Sequence, residues 1–179
     1  MRSLSLTLVL FAAALALGAC GTSQGVKPLA FSPEGNGTIA GKFSVGPAVI
    51  MGKDLKSQVP DPSADAQEFA EEVRQSVTDQ LAKAGLLAGS GEAGDQLRFS
   101  VCYSGGGVLR GFACNPAASG LFLVSPKDYR AETSIWHDGR LVGRLQPASG
   151  TLPSLSDKKL LADRYAKEVV ESIGALAKR

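Results

Sequence analysis

Apolar positions change their spacing several times along this chain, and each change marks a predicted element. Phe69, Val73, Val77 and Leu81 recur every four residues, with Ala66, Ala70 and Ala84 widening the stripe. That spacing predicts an amphipathic helix packed on a sheet. Asp61, Ser63 and Asp65 stand ready as N-caps, and Gly85 follows where a helix end favours the left-handed conformation. A second helix is predicted from Asp157 to Ala177, with Leu161, Tyr165, Val169, Ile173 and Leu176 on one face. Between and before the helices the period falls to two. Ile39, Gly41, Phe43 and Val45 alternate within Gly37 to Met51, a strand that Pro47 ends or bends. From Asp95 to Tyr103, residues Leu97, Phe99, Val101 and Tyr103 share one face, and Arg98, Ser100 and Cys102 the other. Alternation returns from Tyr129 to His137 and from Arg140 to Gln146, with Asp138-Gly139 between. Both turn residues tolerate positive φ, so this is a predicted hairpin.

The order is therefore strand, helix, strands, helix, with no repeat of fixed period. It predicts an α+β fold, a two-layer domain in which a mostly antiparallel sheet packs against two amphipathic helices. The apolar run Leu121 to Val124 has no decided state, and "PASGTLPSLSD" reads as a connection. Residues 21 to 36, "GTSQGVKPLAFSPEGN", mix Gly, Ser, Pro and polar residues without a period and read as a flexible tether.

The N-terminus has a different character. Arg2 is the only charged residue before Cys20, and the apolar run that follows ends in small residues, the layout of an export signal. From Leu4 to Ala19 the run covers 16 residues, short of the ~20 that a spanning helix needs. Its end, Leu17-Gly18-Ala19-Cys20, resembles the lipobox of bacterial lipoproteins. The resemblance implies cleavage before Cys20, a diacylglyceryl thioether on its thiol and acylation, palmitate among the chains, at the new amino terminus. Two or more chains hold a protein stably on a membrane. Gly21, not aspartate, follows the cysteine, and the resemblance then implies sorting to the outer membrane, facing the periplasm. The expected organisation is a signal peptide over 1–19, a lipidated N-terminus and tether over 20–36, and a periplasmic α+β domain over 37–179.

That domain is similar in element order to small envelope lipoproteins with a domain like the N-terminal one of TolB. The likeness rests on Cys20, the tether, the helix "FAEEVRQSVTDQLAKAGL", the following strand, the hairpin "AETSIWHDGRLVGRL" and the closing helix. Such proteins serve as assembly factors, activators or auxiliary parts of envelope machines.

Composition adds mostly exclusions. The chain has 179 residues and a formal charge of +2, which gives no electrostatic reason to expect a nucleic-acid partner. With Cys20 assigned to lipid, Cys102 and Cys114 remain as a pair in a compartment that favours oxidation. A disulfide is expected, closing a loop of about 13 residues with a chain-entropy contribution of roughly 3 kcal/mol. Two inert thiols, or a metal or redox pair, are the alternatives. The single histidine, His137, has no ligand cluster around it in sequence, so no metal or cofactor site is expected. His137 could serve as a base with Ser134 or a carboxylate nearby, but beside Asp138-Gly139 it reads as a solvated turn flank. Glu71-Glu72 and Asp65-Glu68 read as the polar face of the first helix. Gly105-Gly106-Gly107 lacks the Gly-Lys-Ser/Thr of a phosphate loop. Beside it, Val108, Leu109, Arg110 and Phe112 form an apolar and basic group suited to docking a partner. Trp136, opposite Ile135, is expected half-buried on the sheet, with an exposed contact as the alternative.

No catalytic residues are assigned. The leading expectation is a membrane-anchored, non-enzymatic lipoprotein that binds an envelope protein partner. A periplasmic lipid or glycan carrier using a cleft between sheet and helices is the alternative, and a small cell-wall hydrolase comes last.

Overall fold

A computed structural model of the chain describes residues 28–34, 38–105, 107–108, 114, 124–125, 127–152 and 157–178. The expected signal peptide over 1–19, Cys20, and Leu109, Arg110 and Phe112 lie outside these residues. Eight strands and two helices follow one another as β1 (Phe31–Pro33), β2 (Phe43–Ile50), α1 (Ala64–Lys83), β3 (Asp95–Ser104), β4 (Gly107–Val108), β5 (Val124–Ser125), β6 (Lys127–His137), β7 (Arg140–Leu145), β8 (Ala148–Leu152) and α2 (Lys159–Leu176). None of the described helices is long and apolar enough to cross a membrane.

The predicted α+β architecture is present. Six strands form one sheet in the order β1-β7-β6-β3-β2, with β8 also on β6, and both helices lie on one face. All pairings in this sheet are antiparallel except β2 with β3. A parallel pair cannot be joined by a tight turn, and α1 is the crossover between its strands. β4 and β5 pair separately.

Local chemistry explains the element ends. Ser63 Oγ accepts the Ala66 N–H at 3.3 Å and caps α1. Past the other end, Gly85 takes φ +68°. The α2 start has Asp157 Oδ1 accepting from the Lys159 N–H at 2.9 Å. In the β6–β7 hairpin, Asp138 and Gly139 adopt φ 46° and 77°, the mirror-image turn whose twist suits paired strands.

Two stretches differ from expectation, and at Pro47 one of two expected courses is taken. Part of the presumed tether, Phe31–Pro33, is an edge strand on β7. Leu29 and Phe31 pack against the core, and the Leu29 N–H donates to Ser172 Oγ of α2 at 2.7 Å. Two alternating apolar residues there outweigh the surrounding Gly, Ser and Pro. Pro47 does not end β2: the register shifts between Val45 and Ala48, an irregularity in keeping with the expected bend, and the strand continues. A bulge on an edge strand is a place where a missing N–H is tolerated. "PASGTLPSLSD" contributes β8, which extends the line of β7 along β6 after a break at Gln146-Pro147.

The core between the layers is aromatic at its centre. Phe69 of α1 stacks on Tyr103 with centroids 4.4 Å apart, Tyr129 meets Tyr165 edge-on at 5.7 Å, and Tyr165 meets Phe99 at 6.5 Å. Such pairs add to the burial of their large apolar area. The helices are tied by polar contacts: Ser76 Oγ donates to Asp163 Oδ1 at 2.6 Å, and Lys158 reaches both Asp65, at 2.8 Å, and Glu68. Burial works against the Lys158 charge, yet its bonds to the two carboxylates raise its pKa well above the ordinary lysine range. The acidic residues read as a solvated face thus partly serve to join α1 to α2.

Candidate functional site

Among the described residues the helices cover one face of the sheet, and period two sends every second strand residue to the other. Gln96, Arg98 and Ser100 of β3, with Arg130, Glu132, Ser134 and Trp136 of β6, stand on this outer face and are all partly exposed. Cys102 continues the same row but is buried, and so is Asp128 of β6. Burial at this end comes with the Cys102–Cys114 disulfide, whose Cα atoms are 5.7 Å apart. Asp128 Oδ1 accepts the Cys114 N–H at 2.8 Å. The covalent bond and the charge-assisted hydrogen bond fix Cys114 to the outer face from two adjacent strands. The expected disulfide is therefore present, and the alternation that placed Cys102 away from the core gives its direction.

Of the four docking candidates, Val108 lies in β4, and Leu109, Arg110 and Phe112 fall outside the described residues. Val108 and Cys114 are the described residues on either side of them in the chain.

At the centre of the face, Arg98 and Trp136 form a built unit. The Arg98 guanidinium carbon lies 4.3 Å from the Trp136 ring centroid, a cation–π contact. Arg98 Nε donates to Gln96 Oε1 at 2.6 Å. Trp136 Nε1 donates to Ser134 Oγ at 2.9 Å, and Ser134 Oγ donates to the Arg98 carbonyl at 3.3 Å. Each polar group is oriented by the next, and the guanidinium is held over the ring. Among the described residues no carboxylate pairs with Arg98.

Arg144 differs. It binds Glu34 and Glu132, each at 2.8 Å, and these bonds raise its pKa above the usual arginine value. Arg130 donates to the Lys53 carbonyl at 3.2 Å. The outer face thus has a neutralised cation at one side and an unneutralised one, stacked on tryptophan, beside it. Trp136 is the half-buried sheet residue expected, and the arginine laid on it was not legible because the contact crosses two strands.

His137 turns the other way. On β6 it shares the inward side with Thr133 and Ile135, whereas Ser134 shares the outward side with Trp136. Strand alternation thus puts Ser134 and His137 on opposite faces. His137 Nδ1 instead lies 2.8 Å from Asp95 Oδ1, and Asp95 Oδ2 accepts the Ala40 N–H at 2.7 Å. Asp95 is 0% exposed while the His137 side chain remains 45% exposed. The pair closes the hairpin end of the sheet over the start of β3. Histidine beside a turn gave no sign of a partner 42 residues earlier in the chain. Among the described residues no three His, Cys, Asp or Glu side chains converge as a metal site would.

Two cavities lie away from this face. One of about 560 Å³ is lined by Val45 to Ala48 of β2 and Ala70 and Arg74 of α1. The other, about 700 Å³, sits at the C-terminal ends of the helices beside Leu86, Val170 and Gly174.

No family model matches the chain, and no curated protein matches it. Among solved structures it is similar to the PelC dodecamer from Paraburkholderia phytofirmans in two crystal forms. One has 12% identity and TM-score 0.44 over 83% of this chain and 96% of that one. The second has 11% identity and TM-score 0.42 over 84% and 97%. A third structure, of an uncharacterized protein, has 18% identity and TM-score 0.34 over 75% of this chain and 86% of that one.

Proposed function

We propose that this chain is an envelope lipoprotein, anchored through acylated Cys20 on the periplasmic side of the outer membrane, whose α+β domain acts as a non-enzymatic binding or assembly factor. The observation that carries this reading is the division of labour among its three cysteines. Cys102 and Cys114 are joined to each other, which leaves Cys20 as the one thiol outside a disulfide, at the end of an apolar run and after small residues. A disulfide suits an oxidising compartment, and exported chains reach one. A cysteine in the Leu17-Gly18-Ala19-Cys20 setting resembles an attachment point, and the anchor would leave the domain to meet its partner through its surface.

The surface that supports partner binding is the outer sheet face, with Arg98–Trp136 at its centre, and the group Val108, Leu109, Arg110 and Phe112 is a second docking candidate from the sequence alone. Phe69, Phe99, Tyr129 and Tyr165 fill the centre between sheet and helices, which leaves a lipid or glycan carrier the cavity of about 560 Å³ between the edge strand β2 and α1. The test has two parts. Radiolabelled palmitate should enter the wild-type protein and not Cys20→Ser, which should leave the membrane fraction. Crosslinking of the native lipoprotein in intact cells should recover a stoichiometric envelope protein. Labelling that survives Cys20→Ser would overturn the anchor, and crosslinking that returns no partner would overturn the binding role.

A further inference from the structure

We propose that Arg98, laid on Trp136, is the anchor point for a carboxylate side chain on an acidic segment of a protein partner. The inference rests on the binding-factor reading and gives it a place and a chemistry. A guanidinium offers five donors in a rigid plane. In Arg98 the Nε donor is already taken by Gln96 Oε1 at 2.6 Å, and the guanidinium carbon lies 4.3 Å from the ring centroid of the only tryptophan. What remains is the outer fork of terminal nitrogens, the edge that meets a carboxylate through two parallel hydrogen bonds.

On this face Arg144 has two carboxylates and Arg130 donates to the Lys53 carbonyl, and across the molecule Lys158 and Lys159 have acidic neighbours. Arg98 has none among the described residues. Its charge is therefore uncompensated at a half-buried position, where an incoming anion is less screened than at a fully exposed lysine. Orientation by Gln96, Trp136 and Ser134 lowers the ordering entropy that binding would otherwise cost.

A protein segment fits better than a sugar acid. Sugar and small-ligand sites are concave, with several convergent polar groups, and both described cavities lie on other parts of the fold. Arg98 and Trp136 instead stand on an open sheet face, and arginine and tryptophan are the residue types that dominate protein interfaces.

Trp136 makes the test direct, because it is the sole source of tryptophan emission. The full-length lipoprotein in detergent is titrated with a short polyglutamate peptide, with polyglutamine and oligogalacturonate as separate arms. Polyglutamate should shift Trp136 emission saturably, and polyglutamine should not. Arg98→Gln and Arg98→Lys should each weaken the peptide roughly tenfold, since both lose the bidentate bond. Arg140→Gln, at the exposed hairpin turn, should bind as the wild type does. Circular dichroism of each variant establishes that it is folded. An Arg98→Lys protein that binds with wild-type affinity would reduce the site to nonspecific charge and overturn the proposal. A saturable response to oligogalacturonate alone would overturn it in favour of an acidic glycan, and no response in any arm would overturn it outright. Loss of palmitate labelling control at Cys20 with intact peptide binding would defeat the anchor and leave this site standing.

Discussion

Thr133 Oγ1 and Tyr165 OH lie 2.6 Å apart, one on β6 and the other on α2, and both residues are fully buried. The bond crosses the interface between the two layers at the centre of the aromatic core. Burial holds the Tyr165 phenol far above its ordinary pKa, so it stays protonated and can donate at any physiological pH. Removing one partner strands the other in an apolar site. Tyr165→Phe should therefore destabilise the domain by roughly 1–3 kcal/mol, whereas adding Thr133→Val to it should recover part of the loss. Urea denaturation of the two single variants and the double variant measures this coupling.

Tyr129 makes the contrasting case. Its ring is packed against Phe69 and Tyr165, but its hydroxyl is buried with no hydrogen-bond partner among the described residues. Tyr129→Phe keeps the ring and removes the unpaired group, so stability should be unchanged within about 0.5 kcal/mol or should rise. A loss as large as that of Tyr165→Phe would mean the hydroxyl is satisfied after all.

The disulfide should be closed in the protein as isolated. Alkylation without reductant should leave Cys102 and Cys114 unmodified by mass spectrometry, and both should react after reduction. Cys102→Ser with Cys114→Ser should lower stability by roughly 2–4 kcal/mol. The helices and their core should survive, because the bridge lies on the opposite face of the sheet.

Gly143 sits where β1 crosses β7. A side-chain carbon there would run into the Phe31 ring and would lie 2.8 Å from the Ser32 carbonyl oxygen. The ring could turn aside but the backbone carbonyl could not, so Gly143→Ala should release β1. The expected cost is roughly 1–3 kcal/mol, with faster amide hydrogen exchange confined to β1 and its partner residues on β7. Uniformly faster exchange over the whole sheet would contradict this assignment.

Glu168 gives the fold a pH dependence. Burial raises its carboxyl pKa, and the Arg164 bond at 3.3 Å only partly opposes the shift. A carboxyl whose folded-state pKa is raised contributes stability below its unfolded value and loses it as pH rises through the folded one. Glu168→Gln, neutral throughout, should therefore melt higher than the wild type at neutral pH. The difference should vanish as the pH is lowered through the carboxylate range, as thermal melts across that range would record.

Legibility followed the range of the forces involved. The helix at Phe69 to Leu81, the alternating strand at Leu97 to Tyr103 and the Asp138-Gly139 turn were all readable, because each is set by a period or a backbone preference within a few residues. Even the outward direction of Cys102 followed from alternation. β1 was missed because its pattern is only Leu29 and Phe31, and its stability comes from β7, more than 100 positions away. β8 was missed for a related reason: "PASGTLPSLSD" has turn composition, yet β6 is long enough to offer it a partner beyond the end of β7. At the candidate site, Trp136 was noticed and Arg98 was placed on the correct face, but their pairing depended on register between β3 and β6.

The sequence by itself determined the two amphipathic helices, the alternating strands, the hairpin and the pair of cysteines available for a bridge. These rest on side-chain periodicity and turn chemistry, which act locally. Only the tertiary structure decided the parallel place of β2, the edge strand formed from the presumed tether, the Asp95–His137 closure and the stacking of Arg98 on Trp136. Each of those brings together groups far apart in the chain. Their geometry is fixed by strand register and by which face the helices cover, and neither quantity is carried by any short stretch of residues.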